Sequence, residues 1–342
     1  MKTILIAGGA GYIGCVLCEA LLIKEHKVIC LDRFYFGQDK VNHLQKYPNF
    51  SIVKADIRFI NEDTLKDVNV VIDLSGLSND PACDLDPDLS EEINVKGALH
   101  LAECAKKACV ERYIISSSCS IYGAGYQQQL SEESPKNPVS LYARSKIESE
   151  KAIKPLASDD FCVTFLRNAT TYGVSPRMRF DLIVNLMTMY AYTKHKIFVL
   201  GGGRQWRPNV HVRDVAKAFI LTMEAPEDKI NGEAFNVGSN EQNYQVLQVA
   251  NMIREVVPYT DIEIVPDDID KRSYNVSFDK IHDVLGFRVE HSLHEGAVEV
   301  KQALQNGTID PSDVRTSTIN FYKYLIEADR ILNEVRLDGR LF

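Results

Sequence analysis

Short apolar runs alternate with longer amphipathic stretches over the first half of the chain. Thr3–Ala7 is an apolar run, followed by glycines and by Tyr12–Ile23, whose apolar residues recur at helical spacing. Further runs at Lys27–Leu31, Ser51–Lys54, Val68–Leu74, Arg112–Ser116 and Cys162–Leu166 read as strands, and the segments around Leu89–Lys107 and Leu141–Ile153 as helices. Strands alternating with helices predict a parallel sheet covered on both faces, because each crossover lays a helix against the sheet. After residue 170 the regularity fades, and loops rich in Arg, Gly and Pro separate shorter elements. No Gly/Ser linker marks a boundary, so a smaller second lobe interleaved with the first is expected. The chain ends on a helical run, Ile319–Val335, whose contacts the sequence does not reveal.

Composition narrows the function classes. The 342 residues suffice for one large domain or two, and 45% hydrophobic with 25% charged residues is ordinary globular composition. A net charge of −8 argues against general nucleic-acid binding, which needs a basic face. An anionic small molecule stays open, because local arginines matter more than the total. The eight cysteines lie scattered through apolar segments, not at disulfide-framework spacing. With nothing resembling a signal peptide at the N-terminus, a reducing cytoplasm is expected. Cys15-x-x-Cys18 has no second pair at zinc-like spacing and sits in a helical pattern, so it reads as core packing. No apolar run approaches the roughly 18 residues of a membrane span, and no cluster has metal-ligand spacing.

The chemistry begins at Gly8-Gly9-Ala10-Gly11-Tyr12-Ile13-Gly14, directly after the first strand and opening the first helix. Glycines there permit a tight turn and a close backbone approach to a pyrophosphate, while the helix N-terminus offers N–H donors. Asp32 ends the second strand, where a carboxylate accepts the ribose hydroxyls of NAD and repels a 2′-phosphate. Arg33 beside it leaves NADP as the minor alternative. Asp56-Ile57, after the third strand, reads either as an adenine contact or as an ordinary loop.

Tyr142-Ala143-Arg144-Ser145-Lys146 puts Tyr142 and Lys146 on one helical face. A phenol titrating near 10 is a poor base at neutral pH. A nearby ammonium and a positive nicotinamide ring favour the phenolate, which can then take a hydroxyl proton as hydride leaves the same carbon.

These motifs together resemble the extended short-chain dehydrogenase/reductases of the sugar-nucleotide epimerase and dehydratase group. The resemblance spans nearly the whole chain: GGAGYIG, Asp32, Asp56-Ile57, Asn94 in INVKGA, SSSCSIYG, YARSK, LRNATTYG, GGGRQWRPNVHVRD, FNVGS and Arg272…DKIHDVLGF. It implies a Rossmann-type doubly wound α/β sheet over residues 1–170 and about 208–238. A smaller α/β lobe, 171–207 with 239–342, would close over a nucleoside-diphosphate sugar. It also implies a homodimer through the helices around 89–107 and 141–155. Implied cofactor contacts are Gly8, Gly11, Tyr12, Ile13, Gly14, Asp32, Arg33, Asp56, Ile57, Leu74, Ser75, Gly76, Asn94 and Ser116, with Tyr142 and Lys146. Ser118 matches the hydroxyl that hydrogen-bonds the reacting sugar oxygen, Tyr142 the base and Lys146 its partner on the nicotinamide ribose. Arg207 and Arg272 match holders of the substrate diphosphate or nucleoside ribose, and Asn185 a position near the nucleotide. Thr170 stands where the family's LRxxN has asparagine, and the family's histidine after the fourth strand is missing from Asp73-Leu74-Ser75-Gly76.

The two residues after Ser118 sort the reactions. Dehydratases resemble each other in an Asp-Glu pair there, decarboxylases in a glutamate at the second place, and 3,5-epimerases in a cysteine at that place. This chain has Cys119-Ser120. Alternation along an extended segment turns a thiol that is one place early away from the substrate, so Cys119 reads as packing. Oxidation at C4 needs nothing beyond the core set. The expected activity is an NAD-dependent 4-epimerase, with 4-dehydrogenase or 4-ketoreductase as the alternative; a 4,6-dehydratase or a non-catalytic NAD-binding protein fits less well. Tyr122 and Tyr172 read as sugar-site wall or packing, and Arg177, Arg179 and Arg204 as a diphosphate aid or solvated surface. Trp206 is placed at the nucleotide and His211 in a structural role.

Overall fold

Seven parallel strands make the central sheet of the computed structural model, which describes residues 1–124, 129–265 and 272–341. In chain order the strands of the protein are β1 (Thr3–Ala7), β2 (Lys27–Asp32), β3 (Phe50–Lys54), β4 (Val70–Asp73), β5 (Arg112–Ser118) and β6 (Cys162–Asn168). They continue with β7 (Thr170–Tyr172), β8 (Lys196–Leu200), β9 (Trp206–His211), β10 (Glu233–Val237), β11 (Asn243–Gln245) and β12 (Asp261–Val265). The large sheet runs β10-β6-β5-β4-β1-β2-β3, so the order reverses beside β1 and a crevice opens at the strands' C-terminal ends.

Both faces of this sheet are covered, so β4 and β6 are buried at every position and β1 at all but its first, rather than at alternate residues. The helices Tyr12–Ile23 and Val212–Glu224 pack on one face, where Cys15, Cys18 and Phe219 are fully buried. The helix Ala98–Lys107 covers the other through Leu101, Ala102 and Ala105. Strand β10 enters the sheet from the second half of the chain, beside β6, so the two halves interleave.

The smaller lobe has two short sheets, β11-β9-β7 and β12-β8, around a core that includes Val184, Ile197, Val249 and Ile253. β5 and β6 run two residues beyond the expected Ser116 and Leu166, β2, β3 and the last helix are one residue longer than expected, and two further elements differ from the sequence pattern. The strand expected over 68–74 spans Val70–Asp73, because the Val68 N–H turns back to the Leu65 carbonyl and the Asp73 carboxylate accepts from the Ser75 N–H. The helix expected around 89–107 is interrupted by a π-helical turn, Glu92–Gly97, a distortion often met at functional sites. The C-terminal helix, Thr318–Val335, rests on the loop after β2 through Phe36–Phe321 and Phe36–Tyr322 ring contacts. Among the described residues no helix is long and apolar enough to cross a membrane.

Candidate active site

A cleft of about 840 Å³ runs along the C-terminal ends of the large sheet and beneath the smaller lobe. One end is made of main chain. Gly8 has φ +76°, and a Cβ there would lie 2.8 Å from the Leu74 carbonyl carbon; a Cβ on Gly14 would lie 2.3 Å from the Gly8 oxygen. The turn therefore closes only with glycine at both places, and leaves a cradle against the backbone. The helix that follows starts without a side-chain cap and without an acidic residue in its first turn. Its N-terminal N–H groups and dipole are thus available to an anion.

Asp32 accepts from the Ala10 N–H at 3.1 Å and the Phe34 N–H at 2.7 Å, fixing its carboxylate between turn and loop. Burial pushes its pKa up, opposed by these backbone donors. Arg33 lines the cleft but spends its charge on Asp56, at 2.6 Å. Asp56 also takes Arg58, and although burial works against it, these guanidinium bonds hold its carboxyl well below the usual range. Ile57, Leu74, Ser75 and Gly76 line the same wall.

Asn94 is placed differently from expectation. It is buried behind the wall, where its amide accepts from the Leu77 N–H at 2.7 Å and donates to the Leu77 carbonyl and Ser145 Oγ. It props the Gly76–Leu77 backbone against the Tyr142 helix rather than facing the cleft. Asn185 departs further. Fully buried, it accepts from the Gly173 N–H and donates to Tyr12 Oη and the Arg179 carbonyl, so its amide is used up in joining loop to helix. Tyr12 reaches the cleft, while its hydroxyl donates away to the Gly173 carbonyl at 2.6 Å.

The other end is made of side chains. The helix Leu141–Ile153 is capped by Ser140 and carries Tyr142 and Lys146 to the end of β5. The Lys146 ammonium donates to the Ser116 carbonyl at 2.7 Å and lies 5.8 Å from the Tyr142 ring centroid. Burial lowers the lysine pKa, with the buried Asp73 carboxylate opposing. Burial also raises the Tyr142 phenol above its ordinary value. The strongest opposing influence is the Arg179 cation rather than Lys146, and a hydrogen bond to Ser118 adds to it. Ser118 Oγ accepts from the Ser120 N–H, which leaves the Ser118 proton to donate.

Cys119 is buried, and its thiol donates to the Arg167 carbonyl at 3.1 Å, away from the cleft that Ser118 and Ser120 line. Arg207 and Arg272 come together as expected. Both line the cleft, the Arg207 guanidinium donates to the Arg272 carbonyl, and Arg272 pairs with Asp80 across from the large domain. Thr170 lines the cleft beside them. Trp206 is half-buried and not on the wall; Tyr122 and Tyr172 are packing residues, their hydroxyls held by Asn236 and Gln242. His211 is structural, bound to Glu299 and stacked on His291.

Several wall residues escape a sequence reading. Asp80 Oδ1, Ser120 Oγ, Asn168 Oδ1, Arg177 Nη1 and Gln205 Oε1 are buried without a partner among the described residues, and all five residues line this cleft. Buried polar atoms in folded proteins are nearly always paired, so such a concentration marks where a ligand completes the hydrogen bonding. The available signal was polar residues at the C-terminal ends of buried strands, as at Ser118 and Asn168. Arg177 and Arg179 are buried, not solvated: Arg179 pairs with Asp181 at 2.5 Å.

The model of the NAD dependent epimerase/dehydratase family matches residues 4–238. The chain belongs to that family. Its cofactor is NAD, and the glycine cradle, Asp32 and the uncapped helix fit that dinucleotide. The chain is 26% identical over 323 residues to UDP-glucuronic acid decarboxylase 1 of Arabidopsis thaliana, covering 91% of this chain and 71% of that protein. It is 27% identical over 333 residues to UDP-glucose 4-epimerase of Corynebacterium glutamicum, covering 90% and 97%. Among solved structures, MoeE5 in complex with UDP-glucuronic acid and NAD superposes with a TM-score of 0.79 at 25% identity, covering 89% of this chain and 99% of that one. Family members with epimerase, dehydratase and decarboxylase activities are thus similar to it at comparable distance.

Proposed function

We propose that this family member is a nucleotide-sugar 4-epimerase acting through a transient 4-keto sugar. The observation that carries the reading is the wall facing Tyr142. Ser118 and Ser120 place hydroxyls there, and the nearby carboxylates of Asp80 and Asp181 are paired with Arg272 and Arg179. Asp181, despite burial, is held down to about 2 by Arg179, so it neither gives nor takes a proton near neutral pH. Eliminating water needs a positioned acid and base beside Tyr142; among the described residues Asp181 is spent on Arg179, and Asp80 is tied through one oxygen to Arg272.

NAD, which the glycine turn, the uncapped helix and Asp32 would hold, would supply reversible hydride acceptance at C4. The chain does the rest. Tyr142 takes the proton of the C4 hydroxyl and gives it back, and Ser118 donates to the same oxygen. Lys146, anchored on the Ser116 carbonyl, orients the ribose beside them. Arg207 and Arg272 hold the diphosphate, for which a planar guanidinium fork is well shaped. Ser120 Oγ and Asn168 Oδ1, lacking partners among the described residues, take sugar hydroxyls. The assembly proposed with this reading is a homodimer through the helices around 89–107 and 141–155, checked by light scattering.

Incubation with a panel of UDP-, dTDP-, GDP- and CDP-sugars tests the reading. An equilibrium mixture of C4 epimers without net NADH is expected. Net NADH with release of a keto sugar would make the protein a 4-dehydrogenase, and loss of carbon dioxide from a uronate a decarboxylase.

A further inference from the structure

One cation in the cleft has no role in the chemistry above. Arg177 is 3% exposed and lies on the segment that leaves β7. Its Nη2 donates to Thr318 Oγ1 at 2.9 Å, and its guanidinium carbon stands 3.6 Å from the centroid of the Phe36 ring. The residue lines the cleft, and its Nη1 is buried without a hydrogen-bond partner among the described residues. Burial, with Arg179 adding to it, pushes the Arg177 pKa down to about 10, so the group is still a cation at neutral pH. Asp181, which accepts from Thr318 Oγ1, offsets part of this charge, but Nη1 is left without an acceptor among the described residues, and a buried cation short of a hydrogen-bond partner is costly.

The surroundings say which anion. The charge of Arg177 is felt by Asp32 at the end of β2 and by Cys15 in the first helix. The Ser175 hydroxyl donates to the Tyr12 carbonyl at 2.7 Å, tying the arginine's segment to the helix's first turn. Arg177 therefore lines the cleft together with Asp32 and the glycine turn, on a segment bonded to the first turn of the uncapped helix. The other cations at this end are committed: Arg33 and Arg58 to Asp56, Lys40 to Asp39 and Asp313. The C-terminal helix roofs the group, with Tyr322 against Phe36, and Arg315 bonds Asp39 on the same loop.

We propose that Arg177 is a ligand of the NAD diphosphate, supplied from outside the glycine turn and held in place by Phe36 and the C-terminal helix. Phe36 fixes the plane of the guanidinium, Thr318 takes one nitrogen, and the other is left pointing at the phosphates. The helix N-terminus and the arginine then bind the same anion from two sides.

The test is calorimetric titration of adenosine, ADP-ribose, NAD and NADP into the protein freed of carried nucleotide, with NAD content per chain measured on the protein as purified. Arg177→Met is expected to weaken ADP-ribose and NAD about 10- to 100-fold, the range of a charge-assisted hydrogen bond, and to leave adenosine unchanged. It is also expected to purify with less NAD. Unchanged ADP-ribose binding in Arg177→Met overturns the proposal. So does an equal loss for adenosine, which marks a wall residue, or a loss confined to NADP, which marks a 2′-phosphate site. Should Arg177→Met fail to fold by circular dichroism, Arg177→Lys decides. A lower affinity for ADP-ribose with adenosine unchanged supports the assignment, and wild-type affinity for both contradicts it.

Discussion

At the dinucleotide end of the cleft the wall is backbone: a glycine turn pressed on the Leu74 carbonyl, an uncapped helix, and a carboxylate pinned by two N–H groups. At the sugar end it is side chains from distant segments, with Ser118, Tyr142, Asn168, Arg207 and Arg272 converging on one space. Backbone walls recognise what every NAD shares, and they tolerate no added atom. Side-chain walls decide which oxygen loses a proton and which sugar fits, and they change by single substitutions. On the function proposed above, the protein holds its cofactor by shape and chooses its reaction by a few functional groups.

Variants that strike each end should separate the two. Tyr142→Phe is expected to lower kcat about 10³-fold, the scale of a lost general base, while NAD content and melting temperature stay near wild type. If NAD were lost with the hydroxyl, the ends would not be independent. Gly14→Ala strikes the other end. Its methyl would meet the Gly8 oxygen at 2.3 Å and the Gly9 Cα at 2.7 Å. Overpacking of this kind costs about 1–3 kcal/mol, so thermal unfolding should begin several degrees lower and the protein should purify without NAD.

Arg179 sharpens the comparison at the chemical end. Its cation favours the phenolate of Tyr142, so removing it raises the phenol pKa and moves the rise of activity with pH to higher pH. Arg179→Met should shift that limb by about one pH unit, and Arg179→Lys by much less, as read from kcat/KM against pH. The smallest effect is expected at Cys119. With its thiol spent on the Arg167 carbonyl, Cys119→Ala should keep kcat within about twofold and lose about 1 kcal/mol of stability in denaturant unfolding. A large fall in turnover would put the thiol back in the chemistry.

Legibility in the sequence follows the same division. The glycine turn, Asp32 and Tyr142/Lys146 are local: a few residues in one strand–turn–helix or one helical turn carry both the geometry and the chemistry. Cys119 is packed as expected but for another reason than strand alternation: β5 ends at Ser118, and the 3-10 turn Cys119–Tyr122 sends the thiol to the Arg167 carbonyl. Asn185 was not readable, since its motif position says nothing of Gly173 and the Tyr12 hydroxyl, which consume its amide. Asn94 holds the loop that forms the wall, a distinction only the fold makes. Arg177 and Arg179 lie in an irregular, Pro- and Arg-containing loop without periodicity, where burial cannot be read from pattern. The C-terminal helix was visible as a helix, but its seat on Phe36 depends on a contact across almost the whole chain.

The central claim is that Ser118, Ser120 and Tyr142 support oxidation and re-reduction at C4 and no other proton chemistry on the sugar. The most direct measurement is turnover of the accepted nucleotide sugar in D₂O followed by NMR. The account predicts the C4 epimer with protium retained at C3, C4 and C5. Deuterium at C3 or C5 would mean that a carbon acid next to the ketone is being deprotonated, and would contradict it.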